Sequence, residues 1–99
     1  MRLFVVTYSL VEDMGERRVP YRDAHFEYLE QSKAGGKLFL AGPCKDPYGA
    51  AIFMLDMNTR GEAMAWAAGD PYVQAGLVTG VDVKELAVAV SRWTETRRP

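Results

Sequence analysis

The chain has 99 residues, 48% hydrophobic and 25% charged, the proportions of one globular domain with a modest core. Twelve basic against thirteen acidic side chains leave a formal charge of −1, which excludes nucleic-acid or membrane-surface binding driven by bulk charge. No segment reaches the ~18–20 apolar residues of a membrane span. The opening Met1-Arg2-Leu3-Phe4-Val5-Val6 is too short for a signal peptide, and the lone Cys44 cannot form an internal disulfide, so a cytoplasmic location is expected.

Residues Leu3 to Tyr8 form an apolar, β-favouring run and read as the first strand. A polar connection follows through Glu12, Asp13, Gly15 and Glu16. Pro20 suits the first turn of a helix, and Tyr21, Ala24, His25, Tyr28 and Leu29 then recur at helical spacing on one inward face. Gly35-Gly36 ends that helix. A second strand, Lys37 to Gly42, leads through the breaker-rich Pro43-Cys44-Lys45-Asp46-Pro47-Tyr48-Gly49 into a third, Ala50 to Met57, as a long hairpin. Thr59-Arg60-Gly61-Glu62 matches a capping box opening a second helix that runs to about Gly69. An Asp70-Pro71-Tyr72 turn and a last strand from about Leu77 to Lys84 or beyond complete the chain.

The order is βαββαβ, an α+β ferredoxin-like arrangement with both helices on one face of a four-stranded antiparallel sheet. The whole chain, 1–99, reads as a single domain with its core over about 2–86 and a tail from 87. Arg97-Arg98-Pro99 reads as solvated tail rather than a basic patch. Strands one and three are apolar on both faces, yet two helices cover only one. A second copy stacked against the open face would bury the other, so a homodimer is expected.

His25 is the only histidine, and it falls on the inward stripe. Such a residue is either a satisfied core histidine or a proton-transfer group. If the second helix kept its period, Asp70 would lie on the same inward face as Ala63 and Ala67, where a carboxylate needs a partner. His25 is available to it, although Asp70 also serves as an ordinary Asp-Pro turn residue. Arg22 lies one turn before His25 and either holds a phenolate or carboxylate or is a solvated helix-start arginine. Tyr8, Tyr28 and Tyr72 either line a pocket or pack in the core. Cys44 reads as a turn residue, with a nucleophile as the alternative. No zinc-ligand spacing and no Gly-rich phosphate loop is present, so neither metal nor nucleotide cofactor is expected.

Arg22-Asp23-Ala24-His25, Gly36-Lys37-Leu38 leading to Ala41-Gly42-Pro43, and Asp70-Pro71-Tyr72-Val73 with Ala75-Gly76-Leu77 together resemble the YciI-like (YCII-related) family over roughly Leu3 to Val83. The resemblance implies a dimeric α+β barrel and a pocket in which His25 meets Asp70, and Pro43 is a candidate substrate-binding residue. It also implies kinship with the branch that dehydrochlorinates chlorohydroxyhydroquinone to hydroxybenzoquinone. Two positions depart from the family pattern: Gly49-Ala50-Ala51 replaces a common Gly-Ser pair, and Lys84-Glu85-Leu86 replaces a common aromatic after the last strand.

The expectation is a cofactor-free lyase acting on a small aromatic or lactone-like molecule through a His25/Asp70 acid–base pair. A muconolactone-isomerase-like reaction and a cofactor-free oxygenation are alternatives from fold analogy. A non-catalytic ligand-binding or regulatory module using the same pocket is the alternative from another class.

Overall fold

A computed structural model describes residues 1–93 and 96; Arg97-Arg98-Pro99 lie outside the described residues. Four strands, β1 (Leu3–Leu10), β2 (Leu38–Pro43), β3 (Ala50–Asp56) and β4 (Val78–Leu86), form one antiparallel sheet in the order β2-β3-β1-β4. The two main helices, α2 (Arg22–Ala34) and α3 (Arg60–Ala68), are joined by two short ones, α1 (Met14–Arg17) and α4 (Pro71–Gln74). No helix among the described residues is long and apolar enough to cross a membrane.

The central strands alternate as a half-covered sheet requires. Phe4, Val6 and Tyr8 of β1 and Ala51, Phe53 and Leu55 of β3 point to the helical side and are buried. They pack with Leu29 of α2 and with Ala63, Trp66 and Ala67 of α3. Val5, Ile52 and Met54 fall on the opposite face, where Val5 pairs with Met54 and with Lys84 of β4, and Ile52 pairs with Thr7, which faces Asp82 of β4. The two-sided apolarity of β1 and β3 is therefore real, and the described chain covers one side.

The capping box opens α3 as the sequence implied. Thr59 Oγ1 accepts from the Glu62 N–H at 3.1 Å, while the Glu62 carboxylate reaches back to the N–H of Asn58 at 2.9 Å. At the end of α2, Gly36 adopts φ +76°, a left-handed conformation that glycine reaches without a Cβ clash.

Three local expectations are corrected. The segment read as a polar connection contains α1, which forms because Met14 is apolar and is buried against Tyr72 and Leu77. The first main helix begins at Arg22 rather than Pro20, because Val19–Tyr21 form a tighter 3-10 turn. Tyr21 and Ala24 are consequently exposed, and His25, Tyr28, Leu29 and Ser32 make the less exposed stripe of α2. Finally, the Asp70-Pro71-Tyr72 turn opens a short helix, α4, while the second main helix ends where the sequence placed it. It is capped at Gly69, and Asp70 is extended (φ −70°, ψ 128°), opening α4 as its N-cap.

Candidate active site

The sequence around Asp70 dictates its local role first. An aspartate followed by proline is well suited to an N-cap, because proline at N1 lacks the N–H that would go unpaired there. Asp70 Oδ1 accepts from the Tyr72 N–H at 2.9 Å, the bond such a cap is built to make. The cap turns the carboxylate into the protein, where it is fully buried. A buried carboxylate needs donors on both oxygens, and it has them. Oδ1 also lies 2.7 Å from His25 Nδ1, and Oδ2 accepts from the Tyr8 hydroxyl at 2.9 Å. The turn role and the partner role therefore belong to one side chain.

His25 is 5% exposed and is fixed from several sides. Its ring stacks on Tyr72 with centroids 3.7 Å apart and planes within 7°, and Phe53 meets it edge-on at 6.2 Å. An ionised carboxylate only accepts, so Nδ1 carries the hydrogen of the 2.7 Å contact. Nε2 is left as the nitrogen that can exchange a proton with a bound molecule.

His25 opens onto a pocket of about 380 Å³ between α2, the start of β3 and the β2–β3 hairpin. Of the positions singled out in the sequence, Tyr8, Arg22, Pro43 and Tyr72 also line it. Arg22 lies over the ring of Phe26, its guanidinium carbon 4.9 Å from the centroid. Tyr28 does not line the pocket. Its hydroxyl donates to the carbonyl of Trp66 at 2.6 Å and so ties α2 to α3. Cys44 is half-buried at the hairpin, its N–H bonded to the Ala50 carbonyl at 2.8 Å, and it is absent from the pocket wall.

Burial and the neighbouring Asp70 charge push the Tyr8 hydroxyl far above its ordinary range, which keeps it a proton donor to Asp70. Burial likewise raises Tyr28 and Tyr72; for Tyr72 the cations of Arg18 and Arg22 oppose the rise. Among the described residues, no group of three His, Cys, Asp or Glu side chains is placed to hold a metal ion.

Arg18, Tyr48, Phe26 and Met14 also line the pocket and were not singled out in the sequence. The available signal was Met14, an apolar residue inside the supposed connection, whose burial turns that segment into pocket wall.

Comparison with known proteins gives concordant results. The YCII-related domain matches residues 1–87. Protein YciI of Escherichia coli O6:H1 is 36% identical over 92 residues, covering 83% of this chain and 93% of its own. An uncharacterized protein of Haemophilus influenzae is 31% identical over 78 residues, covering 70% of this chain and 80% of its own. Among solved structures, 5-chloro-2-hydroxyhydroquinone dehydrochlorinase (TftG) from Burkholderia phenoliruptrix AC1100, in complex with 2,5-dihydroxybenzoquinone, superimposes with a TM-score of 0.74 at 21% identity. That match covers 87% of this chain and 94% of the dehydrochlorinase.

Proposed function

Because the chain belongs to the YCII-related domain family, we propose that it is a cofactor-independent lyase of small aromatic molecules, working through His25 and Asp70. Dehydrochlorination of 5-chlorohydroxyhydroquinone to hydroxybenzoquinone is its most concrete form. The observation that carries this reading is the buried 2.7 Å contact between His25 Nδ1 and Asp70 Oδ1, made by a histidine on the pocket wall. The fold shared with a dehydrochlorinase supports it.

The chemistry asks for proton transfer and nothing more. Two hydroxyl protons leave the ring, one proton is added to the carbon bearing chlorine, and the C–Cl electron pair departs with chloride. His25 Nε2 accepts a hydroxyl proton and delivers one to the carbon. Asp70, fixed by its contacts to Tyr8, His25 and the Tyr72 N–H, orients the ring and stabilises the imidazolium between those steps. The proton left over goes to water with the chloride.

The test is chloride release and quinone absorbance from 5-chlorohydroxyhydroquinone, measured against the spontaneous rate. The wild-type protein is expected to exceed that rate, and His25→Ala to lower turnover by about 10²–10⁴-fold with an unchanged circular dichroism spectrum. A wild-type rate equal to buffer rejects this substrate. Full activity in His25→Ala rejects the mechanism. Tight binding of aromatic ligands without turnover of any substrate tested moves the protein to the ligand-binding class.

A second copy belongs to the same proposal. Val5, Ile52 and Met54 form an apolar strip on the sheet face opposite the helices, and stacking two such faces removes both from water.

A further inference from the structure

The pocket wall is charged in one sense only. Arg18 and Arg22 line it, and among the described residues no aspartate or glutamate does. Neither arginine forms a salt bridge among the described residues, where the ion pairs are Arg2–Glu85, Arg17–Asp13, His25–Asp70, Lys33–Glu30 and Lys84–Asp82. Asp70, the nearby anion, already accepts from Tyr8, His25 and the Tyr72 backbone.

Two buried donors in this wall are unsatisfied. The Nε–H of Arg18 and the hydroxyl of Tyr72 are cut off from solvent and have no hydrogen-bond partner among the described residues. Tyr72 as a whole is 6% exposed. Leaving such a donor unpaired costs about 1–3 kcal/mol, and both residues line the same pocket, so a small turn of either side chain toward a bound acceptor recovers that cost. The same Tyr72 ring stacks on His25 at 3.7 Å, which sets this corner beside the proton-transfer nitrogen. Arg18 is held there by the helical turns that follow α1, its own N–H bonded to the Met14 carbonyl at 2.9 Å. Of the two cations acting on the Tyr72 hydroxyl, Arg18 has the larger influence.

We propose that Arg18 and the Tyr72 hydroxyl form a subsite, with Arg22 at its more exposed side, for an anionic oxygen attached to the substrate ring. Carboxylates and phenolates share this chemistry. The inference rests on the pocket being a substrate site and deepens that reading. It gives Tyr72 two duties, its ring face against His25 and its hydroxyl toward substrate.

The experiment measures binding, so it is independent of turnover. Benzoate, 4-nitrophenol and the neutral isostere benzamide are titrated into the full chain by calorimetry, and the Arg18 Nε–H resonance is followed by NMR. Benzoate is expected to bind about tenfold or more tightly than benzamide, consistent with one charge-assisted hydrogen bond, and to move the Arg18 Nε–H signal downfield. Arg18→Met and Tyr72→Phe, which keep the packed stem and the stacked ring, each remove most of that preference while benzamide binding stays level. Retention of the coloured phenolate of 4-nitrophenol below its solution ionisation range identifies phenolate as an occupant. Its absence, with benzoate bound, identifies carboxylate alone. Equal affinity for benzoate and benzamide, an unmoved Arg18 signal, or no binding of either anion overturns the subsite. Chloride release that persists with an unchanged KM in Arg18→Met removes the subsite and leaves the lyase. Arg18-dependent benzoate binding without chloride release removes the lyase reading and leaves the subsite.

Discussion

The Tyr28 hydroxyl lies 2.6 Å from the point where a Cβ on Gly69 would stand. Tyr28 follows His25 by one turn of α2, and Gly69 immediately precedes Asp70. This contact, closed by the Tyr28 bond to the Trp66 carbonyl at 2.6 Å, holds together the two segments that carry His25 and Asp70. A residue larger than glycine at 69 has to displace a hydroxyl that is already bonded.

Gly69→Ala should therefore destabilise the fold by about 1–3 kcal/mol, the range for overpacking. Tyr28→Phe in the same chain should recover part of that loss, because the nearest remaining ring atom is 3.3 Å from the new methyl. Urea unfolding of the two single variants and the double variant checks this. Additive losses would show that the contact does not limit position 69.

Asp70→Asn and Asp70→Ala should separate structure from chemistry. In Asp70→Asn, one oxygen still accepts from His25 and the Tyr72 N–H, and the Tyr8 hydroxyl can turn to accept from the new amide. The fold should persist while turnover falls, since a neutral amide no longer stabilises an imidazolium. Asp70→Ala leaves three buried donors unpaired and should cost upwards of about 3 kcal/mol. Thermal melts alongside the chloride assay distinguish the two, and equal stability losses would refute the rotation argument.

Alkaline pH should unfold the protein with a slope to which Tyr8 contributes. Its folded-state ionisation is raised above the unfolded value of about 10, so below pH ~10 both states keep the proton and the contribution is complete. Above that, the unfolded chain loses the proton first, and stability falls by about 1.4 kcal/mol per pH unit for this group. Tyr28 and Tyr72 are shifted in the same direction and steepen the fall. Tyr8→Phe should be less stable at pH 7, where Asp70 Oδ2 loses its donor, yet shallower above pH ~10, so the two curves converge. Parallel curves from denaturant titrations at several pH values would count against the buried Tyr8–Asp70 bond.

Charge on the open sheet face should dissociate the expected dimer. Ile52→Asp lies opposite Thr7 on the side away from the helices, so it spares the core that Phe53 and Leu55 build. Light scattering at micromolar concentration should give a dimer for the wild type and a folded monomer for the variant. A wild-type monomer of 11.0 kDa would remove the face-to-face arrangement.

The βαββαβ order, the hairpin, the capping box and the two-sided β1 and β3 were all legible because each rests on local pattern: alternation, helical period and turn chemistry. His25 was legible for the same reason, as a position on a helical stripe. Asp70 was legible as an Asp-Pro turn residue and, through the family resemblance, as a partner of His25; the helical-period argument for it does not hold. The helical period that seemed to turn it inward stops at Gly69, and the N-cap of α4 does the work instead. Tyr28 sat on the correct face, yet its hydroxyl went to the Trp66 carbonyl rather than to the pocket.

Sequence by itself determined which residues can be buried and in what order the elements come, since both follow from spacing along one chain. The tertiary structure decided what meets what, the His25–Asp70 pairing alone having been implied beforehand by the family resemblance. It brought Asp70 to His25 across 45 positions and Tyr8 to Asp70 across 62. It also turned the supposed connection around Met14 into a wall that carries Arg18 to Tyr72. Those pairings come from packing two helices on one sheet face, and periodicity holds no record of which side chains that packing will place together.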